Sequence, residues 1–188
     1  NLSALAIGLS CGWGSIVAQA FLKDDNEWGI KALNYDEVSW LLSVALIGTL
    51  LSMLLGPTLC EVFGRKPAAI IMATILFISV LMKILATNFT ILIIAQLLHG
   101  ISDGLSSLIV SIYVTEIASD SMRGRLGSLW NFSVMGGYLI SFIFVTMMSH
   151  KIFTGIILIA PVVLFIGMFF MPESPVYLIR RQRIDAAK

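Results

Sequence analysis

Residues 60–69 read CEVFGRKPAA, and they place one acid and two adjacent bases between two long uncharged runs. Charge is scarce in the rest of the chain, because only 12% of the 188 residues are charged and 58% are hydrophobic. A soluble globular protein carries about 25% charged residues. The composition therefore predicts a membrane protein in which residues 60–69 form a short turn at the membrane surface.

Charged residues divide the chain into six runs that are nearly free of charge. About 20 residues of α-helix cross the hydrocarbon layer of a bilayer, and each run is long enough. Helices are expected, because an open sheet edge finds no hydrogen-bond partner in lipid and no run alternates like a barrel strand. The prediction is an all-α membrane protein, a six-transmembrane-helix bundle with helices at about residues 1–22, 38–60, 67–86, 91–115, 126–149 and 152–171.

The positions of the basic residues predict the orientation of this bundle. Of the twelve Lys and Arg residues, the ones that follow the second, fourth and sixth runs are Arg65, Lys66, Arg123, Arg125, Arg180, Arg181, Arg183 and Lys188. The positive-inside rule places these segments and both termini in the cytoplasm, and the loop at 23–37 outside. We expect a multi-pass protein of the plasma membrane. Its bases anchor helix ends, so nucleic acid is not an expected partner.

Three motifs lie in order at the ends of the second, fourth and sixth helices. Their members are Gly56, Glu61, Gly64, Arg65 and Lys66, then Tyr113, Glu116, Arg123 and Gly124, and finally PESPVYLIRR from Pro172. On these motifs the whole chain resembles the amino-terminal half of a sugar porter of the major facilitator superfamily. It departs from the family at Glu61, where Asp is usual, and at Val176, where Arg is usual.

Two further stretches, ALNYDEVSWLLS and LSCGWGSIV, are most similar to the insect facilitated trehalose transporter-like proteins. The resemblance implies a hexose or trehalose as the substrate, and a carrier embedded in a lipid bilayer. Family members continue into a second half of six helices. Because this chain begins without Met and ends in a basic segment, we expect a fragment or truncated product that lacks the carboxy-terminal half.

The resemblance also implies a cytoplasmic gate. In the family, acids and bases of these motifs pair while the carrier faces outward, and separate when it opens inward. The residues carried over to this role are Gly56, Glu61, Gly64, Arg65, Lys66, Glu116, Arg123 and Glu173. The alternative is that these charges only anchor the helix ends at the membrane surface, where exposed pairs contribute about 0–1 kcal/mol each.

The predicted sugar site lies on the fifth helix. Residues at i, i+3, i+4 and i+7 share one helix face, and from the most polar residue this face comprises Asn131, Val134, Met135 and Tyr138. Asn131 stands where the family carries a sugar-contacting glutamine. Trp13, near the middle of the first helix, is a candidate to stack on a sugar face. The alternatives are interhelical hydrogen bonding for Asn131 and plain packing for Trp13.

An acid at the centre of the fourth helix, Asp103, requires a partner, and His99 one turn earlier is the nearest candidate. The pair is either a proton relay or a neutral structural pair. The first helix lacks the acid that proton-coupled family members carry, and Gln96 stands in place of an arginine. We therefore predict a uniporter, with proton-coupled symport as the alternative.

An enzyme is not expected, because the sequence contains no Ser-His-Asp set, metal-ligand spacing or phosphate-binding glycine loop. Cys11 and Cys60 are predicted to be packing residues, so neither a metal site nor a cofactor is expected. The predicted function is facilitative sugar transport by alternating access, with this chain supplying one half of the site and of the gate. The alternative outside transport is a truncated, non-transporting sugar sensor or regulatory membrane protein.

Overall fold

The computed structural model describes residues 2–22, 30–117 and 120–170. The chain folds into helices alone over these ranges. They are α1 (Leu2–Ala20), α2 (Tyr35–Phe63), α3 (Arg65–Ile84), α4 (Phe89–Ile117), α5 (Asp120–Met147), α6 (His150–Ile157) and α7 (Ile159–Phe170). Among the described residues, five segments are long and apolar enough to cross a membrane: α2, α3, α4, α5, and α6 together with α7. The 19-residue α1 carries no charged residue, and the whole is the expected all-α bundle.

Small residues bring two pairs of helices into close contact. Gly100 of α4 lies against the backbone of Ala45 in α2, and Thr49 of α2 donates a hydrogen bond of 3.1 Å to the Gly100 carbonyl. In the same way Gly8 of α1 faces Gly137 of α5. With no side chain between them the backbones approach closely, which is how helices pack in a membrane. The helix α3 then packs on α4, and α7 packs on α3.

A single residue, Gly64, joins α2 to α3. Its φ of 102° lies in the left-handed region that only glycine adopts without strain. The Gly64 amide donates to the Cys60 carbonyl at 3.2 Å, and the Gly64 carbonyl accepts from the Ala68 amide at 3.2 Å. The turn at the membrane surface is therefore one residue long, and below we call this face of the molecule the Gly64 end.

The helices extend beyond the apolar runs that predicted them. The helix α2 begins at Tyr35 instead of about 38, because the Asn34 amide donates to the Glu37 carboxylate at 2.8 Å and so caps the helix. The helix α5 begins at Asp120 instead of about 126. Polar and charged residues can continue a helix in water, so hydropathy marks the part in lipid and not the helix end.

The predicted sixth helix is divided at Leu158 into α6 and α7. Pro161 lacks an amide hydrogen, and its ring opposes the carbonyl of Ile157 four residues earlier. The Leu158 amide accordingly bonds to Gly155, three residues back, at 3.2 Å. The division therefore follows from a proline that the hydropathy pattern does not register.

Candidate functional site

An ion pair closes the bundle at the Gly64 end. Arg65, the first residue of α3, reaches Glu116 near the end of α4 through two contacts, Nη2–Oε1 at 2.6 Å and Nε–Oε2 at 3.3 Å. The two side chains are only 6% and 13% exposed. Arg65 also donates from Nη1 to the Cys60 carbonyl at 3.0 Å. The ion pair joins α3 to α4, and the hydrogen bond to Cys60 adds α2. Forked arginine–carboxylate pairs of this kind are the strongest ion pairs that arginine makes.

The structure places the other predicted gate residues around this pair. The partner of Arg65 is Glu116, whereas Glu61 is exposed on α2. Gly56 is buried, and a Cβ added there would lie 3.2 Å from side-chain atoms of Leu105 and Leu108 on α4. Lys66 is half-buried. Glu173 and the Arg123 side chain lie outside the residues and side chains that the structure describes.

The predicted sugar face of α5 is largely open. Asn131 and Met135 are exposed, and Val134 and Tyr138 are half-buried. The Val134 backbone lies against Gly8 of α1, so α1 borders this face. The Tyr138 side chain lies near the Cys11 thiol. The four residues thus share a surface, with an amide and a phenol available to a ligand rich in hydroxyl groups.

Trp13 does not belong to that surface. The side chain is 1% exposed, and its Nε1 donates to the Thr154 hydroxyl of α6 at 2.7 Å. The Nζ atom of Lys83 lies 4.3 Å from the ring centroid. Because one face of the indole is covered by Lys83 and its edge is bonded to α6, the stacking role predicted for Trp13 does not fit its position.

A polar cluster lies at the centre of the bundle, and we call Cys11, Lys83, His99 and Asp103 the central cluster. His99 Nε2 lies 3.3 Å from Asp103 Oδ2, at angles outside those of a hydrogen bond. The Cys11 thiol donates to the same Oδ2 at 3.8 Å. Lys83 is buried and interacts electrostatically with Asp103. The sequence pairs Asp103 with His99 but misses Lys83, whose only signal is a base inside an apolar run.

Gln96, which stands where the family carries an arginine, meets α1 at Gly14 in this fold. Gly14 of α1 and Gln96 of α4 are neighbours, since a Cβ added at Gly14 would lie 3.5 Å from Gln96 Nε2. Gln96 is buried, and its Oε1 has no hydrogen-bond partner among the described residues. Neither residue of this contact between α1 and α4 therefore carries a charge.

Comparison with known proteins identifies the family. The family described as Sugar (and other) transporter matches residues 5–188. The glucose transporter GlcP of Staphylococcus epidermidis is 29% identical over 160 residues, which is 83% of this chain and 36% of that protein. The human solute carrier family 2, facilitated glucose transporter member 12, is 30% identical over 191 residues, or 99% of this chain and 30% of that protein. The chain thus spans about a third of the length of these curated relatives.

Solved structures show the same fold. The proton:xylose symporter XylE bound to 6-bromo-6-deoxy-D-glucose superposes with a TM-score of 0.85 at 22% identity, over 99% of this chain and 46% of that one. The inward-open XylE of E. coli gives a TM-score of 0.82 at 20% identity, over 98% and 49%. The relatives are named as transporters, in line with the prediction that the chain is not an enzyme. The chain belongs to the sugar (and other) transporter family, and its helices form one half of a major facilitator superfamily fold.

Proposed function

We propose that this chain is the amino-terminal half of a carrier that moves a sugar across a membrane by alternating access. The observation that carries the proposal is the family match over residues 5–188, together with relatives named as glucose transporters. In such folds the substrate site lies between two halves that rock about it. The carboxy-terminal half is then the main protein partner, and the carrier resides in the plasma membrane.

The proposed substrate is a hexose or trehalose. Support comes from the open α5 face, where Asn131, Met135 and Tyr138 reach the surface that a second half would cover. An amide donates and accepts hydrogen bonds, as a polyhydroxylated ligand requires. Trehalose rests on the resemblance of residues 32–43 and 9–17 to insect carriers, and the named relatives favour glucose.

Removing the amide at position 131 should weaken sugar binding. We expect Asn131→Ala in the complete carrier to raise the sugar Kd roughly tenfold, since a lost hydrogen bond in a binding site costs about 1 kcal/mol or more. Asn131→Gln should retain most of the affinity. The measurement is equilibrium binding of radiolabelled glucose and trehalose to the purified carrier.

The matched control is Ser133→Ala on the same helix, because the Ser133 hydroxyl is already bonded to the Leu129 carbonyl at 2.7 Å. Its Kd should stay at the wild-type value. If Asn131→Ala bound both sugars as tightly as Ser133→Ala does, the interhelical role of Asn131 would replace the sugar role.

The proposed energetics are those of a uniporter. A symporter needs a titratable group that reaches both the sugar cavity and water. Gly14 and Gln96 supply no charge where they meet, and Asp103 contacts Cys11 and His99 within the central cluster. Proton-coupled symport through Asp103 and His99 remains the alternative.

Proteoliposomes with the complete carrier should fill with sugar only to the external concentration, even under an inward proton gradient. One-to-one symport would instead accumulate sugar about tenfold for a gradient of about one pH unit. The measurement is the internal sugar concentration at steady state with and without the gradient. Accumulation that disappears in Asp103→Asn would establish symport.

The proposed orientation has both chain ends in the cytoplasm. In a cysteine-free carrier we expect Lys31→Cys to react with an impermeant thiol reagent from outside, and Glu61→Cys from the cytoplasmic side, because both side chains are exposed. Labelling of intact cells and of inside-out vesicles gives the readout. The reverse pattern at both positions would invert the orientation.

A sugar sensor is the second candidate function. Monosaccharide-sensing protein 2 of Arabidopsis thaliana is 30% identical over 194 residues, which is 98% of this chain and 26% of that protein. A sensor would bind sugar at the same α5 face without equilibrating it across the membrane. The proteoliposome measurement separates the two, because binding without uptake would favour the sensor.

A further inference from the structure

Three members of the central cluster have the chemistry of metal ligands. Cys11, His99 and Asp103 each offer one donor atom, and these atoms lie within 4.8 Å of one another. The sequence does not reveal this set, because Cys11 and Asp103 are 92 residues apart and lie on α1 and α4. Only the packing of the two helices brings the thiol to the imidazole and the carboxylate.

The bonding around His99 is incomplete. The side chain is 2% exposed, yet neither ring nitrogen has a hydrogen-bond partner among the described residues. The Oδ1 atom of Asp103 is likewise without a hydrogen-bond partner in the part of the chain that the structure describes. Burying an unsatisfied polar group costs about 1–3 kcal/mol. Both nitrogens of this buried imidazole are therefore available to a ligand.

The donor set and its spacing select the class of ligand. Sulfur and nitrogen donors suit zinc-like divalent cations, whereas magnesium and calcium take oxygen. Zinc binds sulfur at about 2.3 Å, and nitrogen and oxygen at about 2.0–2.2 Å, so donor atoms around a tetrahedral ion lie about 3.3–3.7 Å apart. The observed separations are 3.3 Å from His99 Nε2 and 3.8 Å from Cys11 Sγ to Asp103 Oδ2.

We propose that Cys11, His99 and Asp103 form a binding site for a zinc-class divalent cation that fixes α1 to α4. Binding deprotonates the Cys11 thiol and releases that proton to solvent, while His99 binds as the neutral imidazole and Asp103 as the carboxylate. Three protein ligands leave a fourth position for water. Tyr138 lies near Cys11, so the bound ion would stand close to the open α5 face.

Lys83 opposes this cation. It interacts electrostatically with both Asp103 and Cys11, so a metal ion and the lysine compete for the same two groups. In the absence of metal, Lys83 partly balances the carboxylate from its place over Trp13. Removal of the Lys83 charge is therefore expected to strengthen metal binding.

Cobalt titration of the purified complete carrier tests the site. Cobalt(II) replaces zinc at such sites, and a bound thiolate gives a sulfur-to-cobalt charge-transfer band in the near ultraviolet. We expect this band in the wild-type carrier, and we expect zinc but not magnesium to abolish it. Cys11→Ser should eliminate the band, His99→Gln should weaken cobalt binding at least about tenfold, and Lys83→Met should tighten it.

The matched control is Cys60→Ser, which removes the other cysteine of this chain at a buried position away from the cluster. This variant should keep the band at full intensity. A wild-type carrier without a charge-transfer band would overturn the proposal, and so would a band that survives in Cys11→Ser. Because the readout is spectroscopic, it stays independent of whether the carrier transports sugar.

Discussion

A complete carrier with Glu116→Gln is expected to exchange sugar at least about tenfold more slowly than the wild type, with its equilibrium Kd for sugar affected less than in Asn131→Ala. The reason is the buried pair between Arg65 and Glu116, which joins α3 to α4 at the Gly64 end. Removing one partner of a buried ion pair costs about 3–5 kcal/mol. A loss of that size in one conformation shifts a two-state equilibrium about 100-fold or more, and the cycle slows.

The measurement compares sugar exchange across proteoliposomes with equilibrium binding for the same variants. Asp36→Asn is the matched control, since Asp36 is an exposed acid at the opposite end of α2, outside the predicted gate, and should leave exchange unchanged. Arg123→Ala belongs to the same predicted gate and should also slow exchange without weakening binding. The gate assignment would be wrong if Glu116→Gln weakened sugar binding as much as Asn131→Ala while exchange kept its rate.

Gly137→Ala is expected to destabilise the complete carrier by about 1–3 kcal/mol, the usual effect of overpacking. A Cβ at position 137 would lie 2.5 Å from the Leu5 carbonyl oxygen and 2.9 Å from the Gly8 Cα atom. Both are backbone atoms of α1, so α1 and α5 must move apart to admit the methyl group. The measurement is the Tm of the solubilised carrier, which should fall by several degrees.

The neighbouring Gly136 provides a control that differs by a single position. A Cβ at residue 136 meets nothing within 4 Å, and Gly136→Ala gains the same helix propensity of about 1 kcal/mol. Its Tm should therefore stay the same or rise. Equal losses of Tm in the two variants would show that the α1–α5 contact at Gly137 is not close in the assembled protein.

The sequence predicts the helical bundle well because charge is so costly in lipid that its positions outline the runs between. It predicts helix ends poorly, because these depend on single interactions. Asn34 and Glu37 cap α2 ahead of the apolar run, and Pro161 divides the sixth span at Leu158. A hydropathy average is taken over many residues, so it does not detect such single interactions.

The residues of the candidate site also differ in how well the sequence predicts their contacts. Motifs fix the positions of Arg65 and Glu116, and the structure brings these two together across 51 residues of chain. Trp13 and Lys83 could not be placed in this way, because an apolar helix offers several faces and the sequence does not say which face meets a neighbour. The contact of Lys83 with the Trp13 ring exists only once the folded bundle brings the end of α3 near α1.

Because Gly64 alone connects α2 to α3, a change in its backbone angles would change the angle between these two helices. The helices α2 and α3 contain 29 and 20 residues, so they extend about 43 Å and about 30 Å from Gly64. A tilt of α2 by about 5° around Gly64 would move its far end by about 4 Å. A shift of a fraction of an ångström in the α2 backbone close to Gly64 would therefore accompany a shift of several ångströms at the far end of α2, on the opposite side of the membrane.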